Sequence, residues 1–180
     1  MAELDTKRMA IFVGDDYEDL ELQYPKYRLR EAGAQVVVAG LEAAVTYKGK
    51  NGYPQVSEAR IADLSADDFD GLVIPGGWMP DKLRRHDEVL ALTASLHKAG
   101  KVIASICHGP WIDISAGVVR GVHYTSTPGI KDDLTNAGAI WSDRPVVIDN
   151  HHISSRRPDD LPQFLQGILQ ALGAQVTQPA

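Results

Sequence analysis

The stretch Lys101–Pro110, KVIASICHGP, is the part of the sequence that decides the predicted fold. Its first six residues form a largely apolar run, which is typical of a strand buried in a parallel sheet. Gly109 and Pro110 come soon after, and proline is well tolerated in the first turn of a helix. The stretch therefore predicts a strand, a tight turn and a helix, with Cys107 and His108 at the turn.

Strand-like runs of the same kind occur at Met9–Val13, Gln35–Ala39 and Gly71–Pro75. Segments with helical spacing of apolar residues separate them, from Glu18 to Gly33 and from Asp87 to Gly100. This alternation predicts an α/β fold of the doubly wound class, in which helices cover both faces of a mostly parallel sheet. Functional sites in such folds lie at the carboxyl ends of the strands.

The remaining segments complete a single predicted domain, 1–180, with its core at about 9–172. The Asn51-Gly52 pair within Thr46–Val56 predicts a small β-hairpin excursion, and Pro25 is expected to kink or restart the first helix. Further strands are predicted at Val122–Thr125, Ala139–Trp141, Val146–Ile148 and His152–Ser155, and further helices at Pro128–Ala137 and Pro158–Leu172.

Composition and charge exclude several classes of protein. Hydrophobic residues make up 44% of the chain and charged residues 23%, which is ordinary for a folded domain. A net charge of −6 argues against binding to the nucleic-acid backbone. Apolar runs are too short to span a membrane and the N-terminus lacks a secretory pattern, so we expect a cytoplasmic protein. The single cysteine excludes an internal disulfide.

Cys107 is the strongest candidate for chemistry, because the predicted turn would present its thiol at a helix N-terminus. That position stabilises negative charge and predicts a thiol that is largely ionised at neutral pH. His108 would then act as a general base or stabilise the thiolate. The alternatives are a buried cysteine that packs as a small hydrophobic residue and a histidine at a surface turn.

Two further groups are predicted at the same edge of the sheet. Glu18 begins the helix after the first strand and could share a proton with the thiol, although it could equally be an ordinary charge at a helix N-terminus. Gly76 and Gly77 end the third strand, where the backbone amide of Gly77 could join that of His108 in stabilising an oxyanion. The alternative for the glycine pair is a plain turn.

No cofactor and no metal ion are predicted. The dinucleotide-binding glycine fingerprint and the Walker motif are both missing from the sequence. His151 and His152 have no cysteine or glutamate at ligand spacing, so we interpret the pair as polar surface at a strand edge.

Several motifs together carry a family resemblance: YEDLE from Tyr17, IPGG from Ile74, ASICHGP from Ala104, SAGV from Ser115, and PGIKDD from Pro128 followed by NAG from Asn136. In this order, the set resembles the ThiJ/PfpI superfamily, specifically its PfpI-like branch, over about 9–172. The resemblance implies a flavodoxin-like sandwich with Cys107 as nucleophile and Glu18 hydrogen-bonded to it. It also implies His108 as the partner of the cysteine, and the amides of Gly77 and His108 as donors.

The resemblance further implies a homo-oligomer, a dimer or a hexamer, in which an acidic residue reaches the histidine from a neighbouring subunit. The matching position is Asp81, where this family has a glutamate. Trp78 and Thr127 depart from the family pattern and are candidates for shaping the substrate pocket. Trp78 and Met79 would be poorly placed on a monomer surface, so burial at a subunit interface is expected for both.

The function implied by the resemblance is that of a stress-protective, cysteine-dependent enzyme. We expect a deglycase or glyoxalase-like hydrolase that acts on reactive carbonyls or glycated adducts. The alternatives are an intracellular cysteine peptidase and a non-catalytic redox sensor or chaperone whose Cys107 is oxidised. The residues suit all three, because substrate choice depends on the shape of the pocket.

Overall fold

The structure of the protein is a computed structural model that describes residues 4–174. Its strands are β1 (Arg8–Phe12), β2 (Gln35–Gly40), β3 (Thr46–Lys48), β4 (Pro54–Val56), β5 (Ala59–Arg60), β6 (Gly71–Ile74), β7 (Val102–Ile106), β8 (His123–Tyr124), β9 (Ile140–Trp141), β10 (Val146–Asp149) and β11 (His152–Ser155). Its α-helices are α1 (Asp19–Glu31), α2 (Met79–Leu83), α3 (Asp87–Lys98), α4 (Pro110–Ser115), α5 (Lys131–Asn136) and α6 (Leu161–Ala171). Short 3₁₀ turns join several of them.

Seven strands form the central sheet in the order β10-β11-β7-β6-β1-β2-β5. Every neighbouring pair is parallel except β10 and β11 at one edge. The chain moves across the sheet in one direction from β1 to β2 and in the other from β6 to β7. Because such crossovers are right-handed, α1 and α3 cover opposite faces. The predicted doubly wound α/β fold is confirmed.

The direction of winding reverses between β1 and β6, and this reversal positions the site. Ligands in doubly wound folds bind at such a switch point, beyond the carboxyl ends of the strands. The loops after β1, β6 and β7 all emerge there. These central strands are buried almost throughout, which explains why they read as continuous apolar runs rather than alternating ones.

The predicted hairpin is confirmed as the antiparallel pair β3 and β4. A second two-stranded sheet, β8 with β9, lies over a small core of its own around Tyr124 and Leu134. Pro25 does not restart α1, which runs through it as one helix from Asp19 to Glu31, so that part of the expectation is wrong. Within residues 4–174, no helix combines the length and apolar character needed to span a bilayer.

The interpretation of His151 and His152 as polar surface at a strand edge is also wrong. His152 is only 2% exposed and pairs with Ile103 where β11 begins. The ring of His97, at the end of α3, lies against both of them. No local pattern indicates this cluster, because more than fifty residues separate His97 from its two neighbours.

Candidate active site

The predicted turn lies between β7 and α4, and Cys107 adopts a strained backbone conformation there. Its φ of 62° falls in the left-handed region, which side-chain-bearing residues rarely occupy. Two backbone hydrogen bonds hold it, from its own N–H to Ser155 O (3.0 Å) and from Thr127 N–H to its carbonyl (3.2 Å). A Cβ on Gly109 would lie 2.4 Å from Ile74 O, so the chain can pass this turn only with glycine there.

The carboxyl group beside the thiol belongs to Glu21, not to Glu18 as expected. Glu18 caps α1, because its Oε2 accepts a hydrogen bond from the Glu21 N–H at 2.9 Å. Side chains in the first turn of a helix lean toward its N-terminus, which carries the Glu21 carboxyl back to the sheet edge. There Glu21 Oε2 accepts the Gly76 N–H at 2.8 Å, and the carboxyl lies within hydrogen-bonding reach of Cys107.

Burial controls the protonation of Glu21. The side chain is fully buried, and among residues 4–174 its Oε1 has no partner with good hydrogen-bond geometry. Desolvation, with a smaller contribution from the charge on Glu18, raises the pKa of Glu21 to about 8. Glu21 is therefore protonated at neutral pH and can donate to, or accept from, the adjacent sulfur.

The expectation of a largely ionised thiol is not supported. Burial, reinforced by the neighbouring Glu21 carboxylate, raises the pKa of Cys107 to about 12. The amides of Gly77 and His108 hydrogen-bond to the sulfur and oppose this rise. Because two acids this close titrate as a pair, the resting site holds its protons more tightly than a helix N-terminus alone predicts.

His108 contacts the thiol from the other side. Its Nδ1 lies 3.2 Å from Cys107 Sγ, and its ring packs between Trp78 and Trp111, with centroids 5.3 Å and 4.9 Å away. Burial and the nearby Lys50 lower the pKa of His108, so the ring is neutral at pH 7. A neutral imidazole next to a thiol can accept its proton.

Asp81 lies apart from these groups in its own chain. It projects from α2 and pairs with Arg85 one helical turn later, with its side chain partly exposed. Among the described residues, no acidic side chain bonds to the His108 ring. Within one chain, the structure therefore does not bring Asp81 to the thiol.

The glycine pair after β6 approaches the site as closely as backbone can. A Cβ on Gly76 would lie 2.6 Å from the Cβ of Cys107. Gly77 has a φ of 75°, and a Cβ there would lie 2.3 Å from Asp16 O. Both positions require glycine. The Gly76 amide donates a hydrogen bond to Glu21, and the Gly77 amide donates one to the sulfur.

Sequence reasoning missed Lys50, which the hairpin brings to the site. Asp19 anchors the hairpin by accepting hydrogen bonds from the N–H groups of Asn51 and Tyr53, both at 2.9 Å. Lys50 Nζ then lies 3.9 Å from Glu18 Oε1, and its charge lowers the pKa values of both Glu21 and Cys107. The Asn-Gly turn predicted the hairpin, but nothing in the sequence indicates where its tip lies.

The residues expected at the pocket or the subunit interface, Trp78, Met79 and Thr127, differ in their exposure and contacts. Trp78 is 58% exposed, whereas Met79 is fully buried within its own chain, so an interface is not needed to bury Met79. Thr127 is half-buried and lines a small cavity of about 160 Å³ with Pro128, Asp143, Arg156 and Arg157. Trp78 therefore lies beside the His108 ring, and the backbone N–H of Thr127 bonds to the Cys107 carbonyl.

Comparison with known proteins identifies the family. Residues 7–171 match the sequence profile of the DJ-1/PfpI family. The chain belongs to the DJ-1/PfpI family. The resemblance to the ThiJ/PfpI superfamily is thereby confirmed.

Relatives in the DJ-1/PfpI family span nearly the same length. A Pyrococcus abyssi protein named a deglycase is 43% identical over 165 residues, which cover 92% of this chain and 99% of that one. The Bacillus subtilis protein YraA, whose name carries a provisional assignment as a cysteine protease, is 38% identical over 167 residues, 93% of this chain and 99% of its own. The family therefore includes proteins named for both activities.

A solved structure from Anabaena variabilis has the same fold, with a TM-score of 0.92 and 37% identity over 93% of this chain. That protein combines a DJ-1/ThiJ/PfpI-like domain with a ferritin-like domain, and this chain covers 48% of it.

Proposed function

We propose that this protein is a cysteine-dependent deglycase or glyoxalase-like hydrolase that acts on reactive carbonyls or their adducts. The observation that carries the proposal is the convergence of four groups on one sulfur: the Glu21 carboxyl, His108 Nδ1, and the amides of Gly77 and His108. The deglycase name of the Pyrococcus abyssi relative supports the same reading.

The first chemical step follows from this geometry. The Cys107 sulfur attacks an electrophilic carbonyl carbon, a C–S bond forms, and the π electron pair moves to the carbonyl oxygen. The thiol proton passes to His108 Nδ1 or to an ionised Glu21, and a protonated Glu21 or the two amides stabilise the new oxyanion. For a dicarbonyl, an internal transfer of hydride to the neighbouring carbonyl carbon then converts the hemithioacetal into a thioester of Cys107. Water attacks this thioester, the C–S bond breaks, and the hydroxy acid and the free thiol are released, so no external oxidant or reductant is required.

Small carbonyls fit this site better than peptide bonds do. Peptide cleavage must protonate an amine leaving group and needs a histidine held by an acid, as in a catalytic triad. Here Asp81 is shorter than the family's glutamate and pairs with Arg85 in its own chain. The indoles of Trp78 and Trp111 flank His108 and narrow the approach for a polypeptide. Addition of the thiol to an aldehyde needs neither an amine leaving group to be protonated nor a histidine held by an acid.

A homo-oligomer is part of the proposal. His108 has no acidic partner among residues 4–174, and the exposed indole of Trp78 lies beside it. A second subunit that covers Trp78 and brings Asp81 near His108 would supply both missing contacts. Light scattering is expected to give a multiple of 19.6 kDa, and the mass of a single chain would refute this shared site.

One assay panel tests the reaction. Purified wild-type protein and Cys107→Ala are incubated with methylglyoxal, with its adducts on N-acetylcysteine and N-acetyllysine, and with a fluorogenic peptide and casein. We expect lactate from the carbonyl substrates and a loss of at least about 1000-fold in Cys107→Ala, as for removal of a nucleophile. Cleavage of casein that depends on Cys107, with methylglyoxal untouched, would establish the peptidase alternative instead.

The redox-sensor alternative requires that the same thiol react readily with peroxide. Peroxide reacts with the thiolate, and burial raises the pKa of Cys107. We therefore expect slow oxidation by peroxide at pH 7. Rapid, stoichiometric sulfinate formation by mass spectrometry, without turnover of any carbonyl, would favour the sensor.

A further inference from the structure

Three histidines converge at the end of β7 opposite Cys107. His97 is in the last turn of α3, His151 is in the turn between β10 and β11, and His152 begins β11. His97 Nδ1 lies 2.8 Å from His152 Nε2 and 3.0 Å from His151 Nε2. One nitrogen from each ring falls within a sphere less than 5 Å across.

We propose that His97, His151 and His152 form a binding site for one divalent transition-metal ion of the zinc class. Three imidazoles are the ligand set that Zn²⁺, Cu²⁺ and Ni²⁺ accept in proteins. A water molecule or an exogenous ligand would complete the coordination.

The spacing of the nitrogens fits such an ion. With Zn–N bonds of 2.0–2.1 Å and tetrahedral angles, ligand nitrogens stand about 3.3 Å apart. The two distances from His97 Nδ1 are shorter than that spacing by about half an ångström or less, and the ligand nitrogens of His151 and His152 lie within 4.8 Å of each other.

Hydrogen bonding alone accounts poorly for the arrangement. Each imidazole nitrogen offers either one N–H or one lone pair in the plane of its ring. His97 Nδ1 therefore can make one well-directed hydrogen bond, yet two histidine nitrogens lie within 3.0 Å of it. A cation at the centre would use all three lone pairs at once.

The groups behind His152 orient it as a ligand. Its Nδ1 lies 2.6 Å from the Tyr124 hydroxyl, which lies 3.3 Å from Asp113 Oδ2. Ser105 Oγ donates to the same carboxylate oxygen at 2.5 Å. If His152 Nδ1–H donates to Tyr124, which in turn donates to Asp113, the lone pair of Nε2 is left to face the cluster. Metal-binding histidines commonly have such a partner on the second nitrogen.

The electrostatics also suit a cation. The Asp149 carboxylate lies close enough to the His151 and His152 rings to interact with both electrostatically, and it would favour a positive ion in the cluster. Asp149 itself accepts hydrogen bonds from His123, which leaves the three histidines as the ligands.

Metal binding can be measured without any enzyme assay. Untagged, chelator-treated protein is titrated with Zn²⁺ by calorimetry and with Co²⁺ by visible absorbance. We expect one ion per chain and tetrahedral Co²⁺ bands. His97→Ala and His151→Asn should each weaken binding by at least about 100-fold. His86→Ala, which removes a partly exposed histidine beside Glu88 at the other end of α3, is the matched control and should bind as wild type does.

The competing site is the thiol, so Cys107→Ser is titrated in parallel. Retained stoichiometric binding in Cys107→Ser, together with the losses above, supports the histidine site. Binding that disappears with Cys107→Ser, or that survives both histidine variants, would overturn it, as would the lack of stoichiometric binding by wild-type protein. Circular dichroism checks that the variants fold. Should His97→Ala fail to fold, His151→Asn decides, because the His151 ring is only half-buried.

Discussion

Strand β7 has a cluster of buried and half-buried ionisable side chains at each end, and the two clusters are built in opposite ways. At its carboxyl end, backbone N–H groups of Gly76, Gly77 and His108 point at an acid and a thiol. At its other end, ring nitrogens of three histidines point at one another. The first arrangement provides hydrogen-bond donors for a developing anion, and the second provides nitrogen lone pairs for a cation.

Burial disfavours charge in both clusters, but it raises the pKa values of the acids in one and lowers those of the histidines in the other. Loss of water disfavours the charged form of every group, so it raises the pKa of Glu21 and lowers that of His152. Glu21 and Cys107 at one end, and His151 and His152 at the other, are consequently neutral at pH 7. The chemistry of each end is therefore decided by the partners that surround it rather than by resting charge.

The largest expected effect concerns how stability depends on pH at the carboxyl end. Between the ordinary glutamate pKa of 4.5 and about 8, native Glu21 keeps its proton whereas the unfolded chain has lost it. The free energy of unfolding therefore falls as pH rises through this window, by up to about 4 kcal/mol from this group. Glu21→Gln should flatten the fall.

Urea denaturation at pH 5 and pH 9 measures this effect. The comparison between variant and wild type removes the contribution of Asp113, whose pKa burial raises to about 7 and which is present in both proteins. A variant with the same pH dependence as the wild type would contradict a neutral Glu21 at the site.

The second effect separates the two glutamates. Glu21→Gln should lower kcat/KM for the carbonyl substrate by about 100-fold, because it removes the proton donor beside the sulfur. Glu18→Gln keeps an oxygen that can cap α1, so its loss should be below about fivefold. Steady-state lactate formation by the two variants gives the ratio. A larger loss in Glu18→Gln than in Glu21→Gln would mean that Glu18, rather than Glu21, is the proton donor that catalysis requires.

The sequence predicted the site at the carboxyl end of β7 much better than the histidine cluster at its other end. The apolar runs of β1, β6 and β7 fixed the sheet, and the glycines after β6 and around the elbow marked the carboxyl edge. The error there was local: Glu18 and Glu21 are one helical turn apart, and only the capping hydrogen bond decides which of them turns inward. Such a choice depends on the backbone at a helix start, which periodicity does not resolve.

The histidine cluster could not be predicted because its members share no local pattern. His97 is in a helix and His152 in a strand, and the parallel pairing of β11 with β7, the strand that follows α3, brings them together. The raised pKa of Cys107 escaped prediction for a related reason. The helix N-terminus is visible in the sequence, whereas the burial that outweighs it depends on side chains from distant segments.

The third effect tests the coupling of Glu21 and Cys107. The Glu21 carboxylate raises the pKa of Cys107, so Glu21→Gln should lower the midpoint of the pH–rate profile for alkylation by about one unit. Iodoacetamide labelling followed by mass spectrometry measures this midpoint. Glu18→Gln is again the matched control, and an upward shift in Glu21→Gln would mean that the acid acts on the sulfur mainly as a hydrogen-bond donor.

The smallest expected effect concerns Lys50, the residue that ties the hairpin to the carboxyl end. Its ammonium lowers the pKa values of Glu21 and Cys107, so Lys50→Met should raise the alkylation midpoint. The shift should stay below about one unit, because Lys50 is 42% exposed and water screens its charge. Lys48→Met removes an exposed charge from the same hairpin and should leave the midpoint in place. The Lys50 shift should also shrink as salt is raised, since screening weakens exposed charges. Equal shifts in both variants would mean that the hairpin acts through net charge alone, and that the contact between Lys50 and Glu18 has no part in the site.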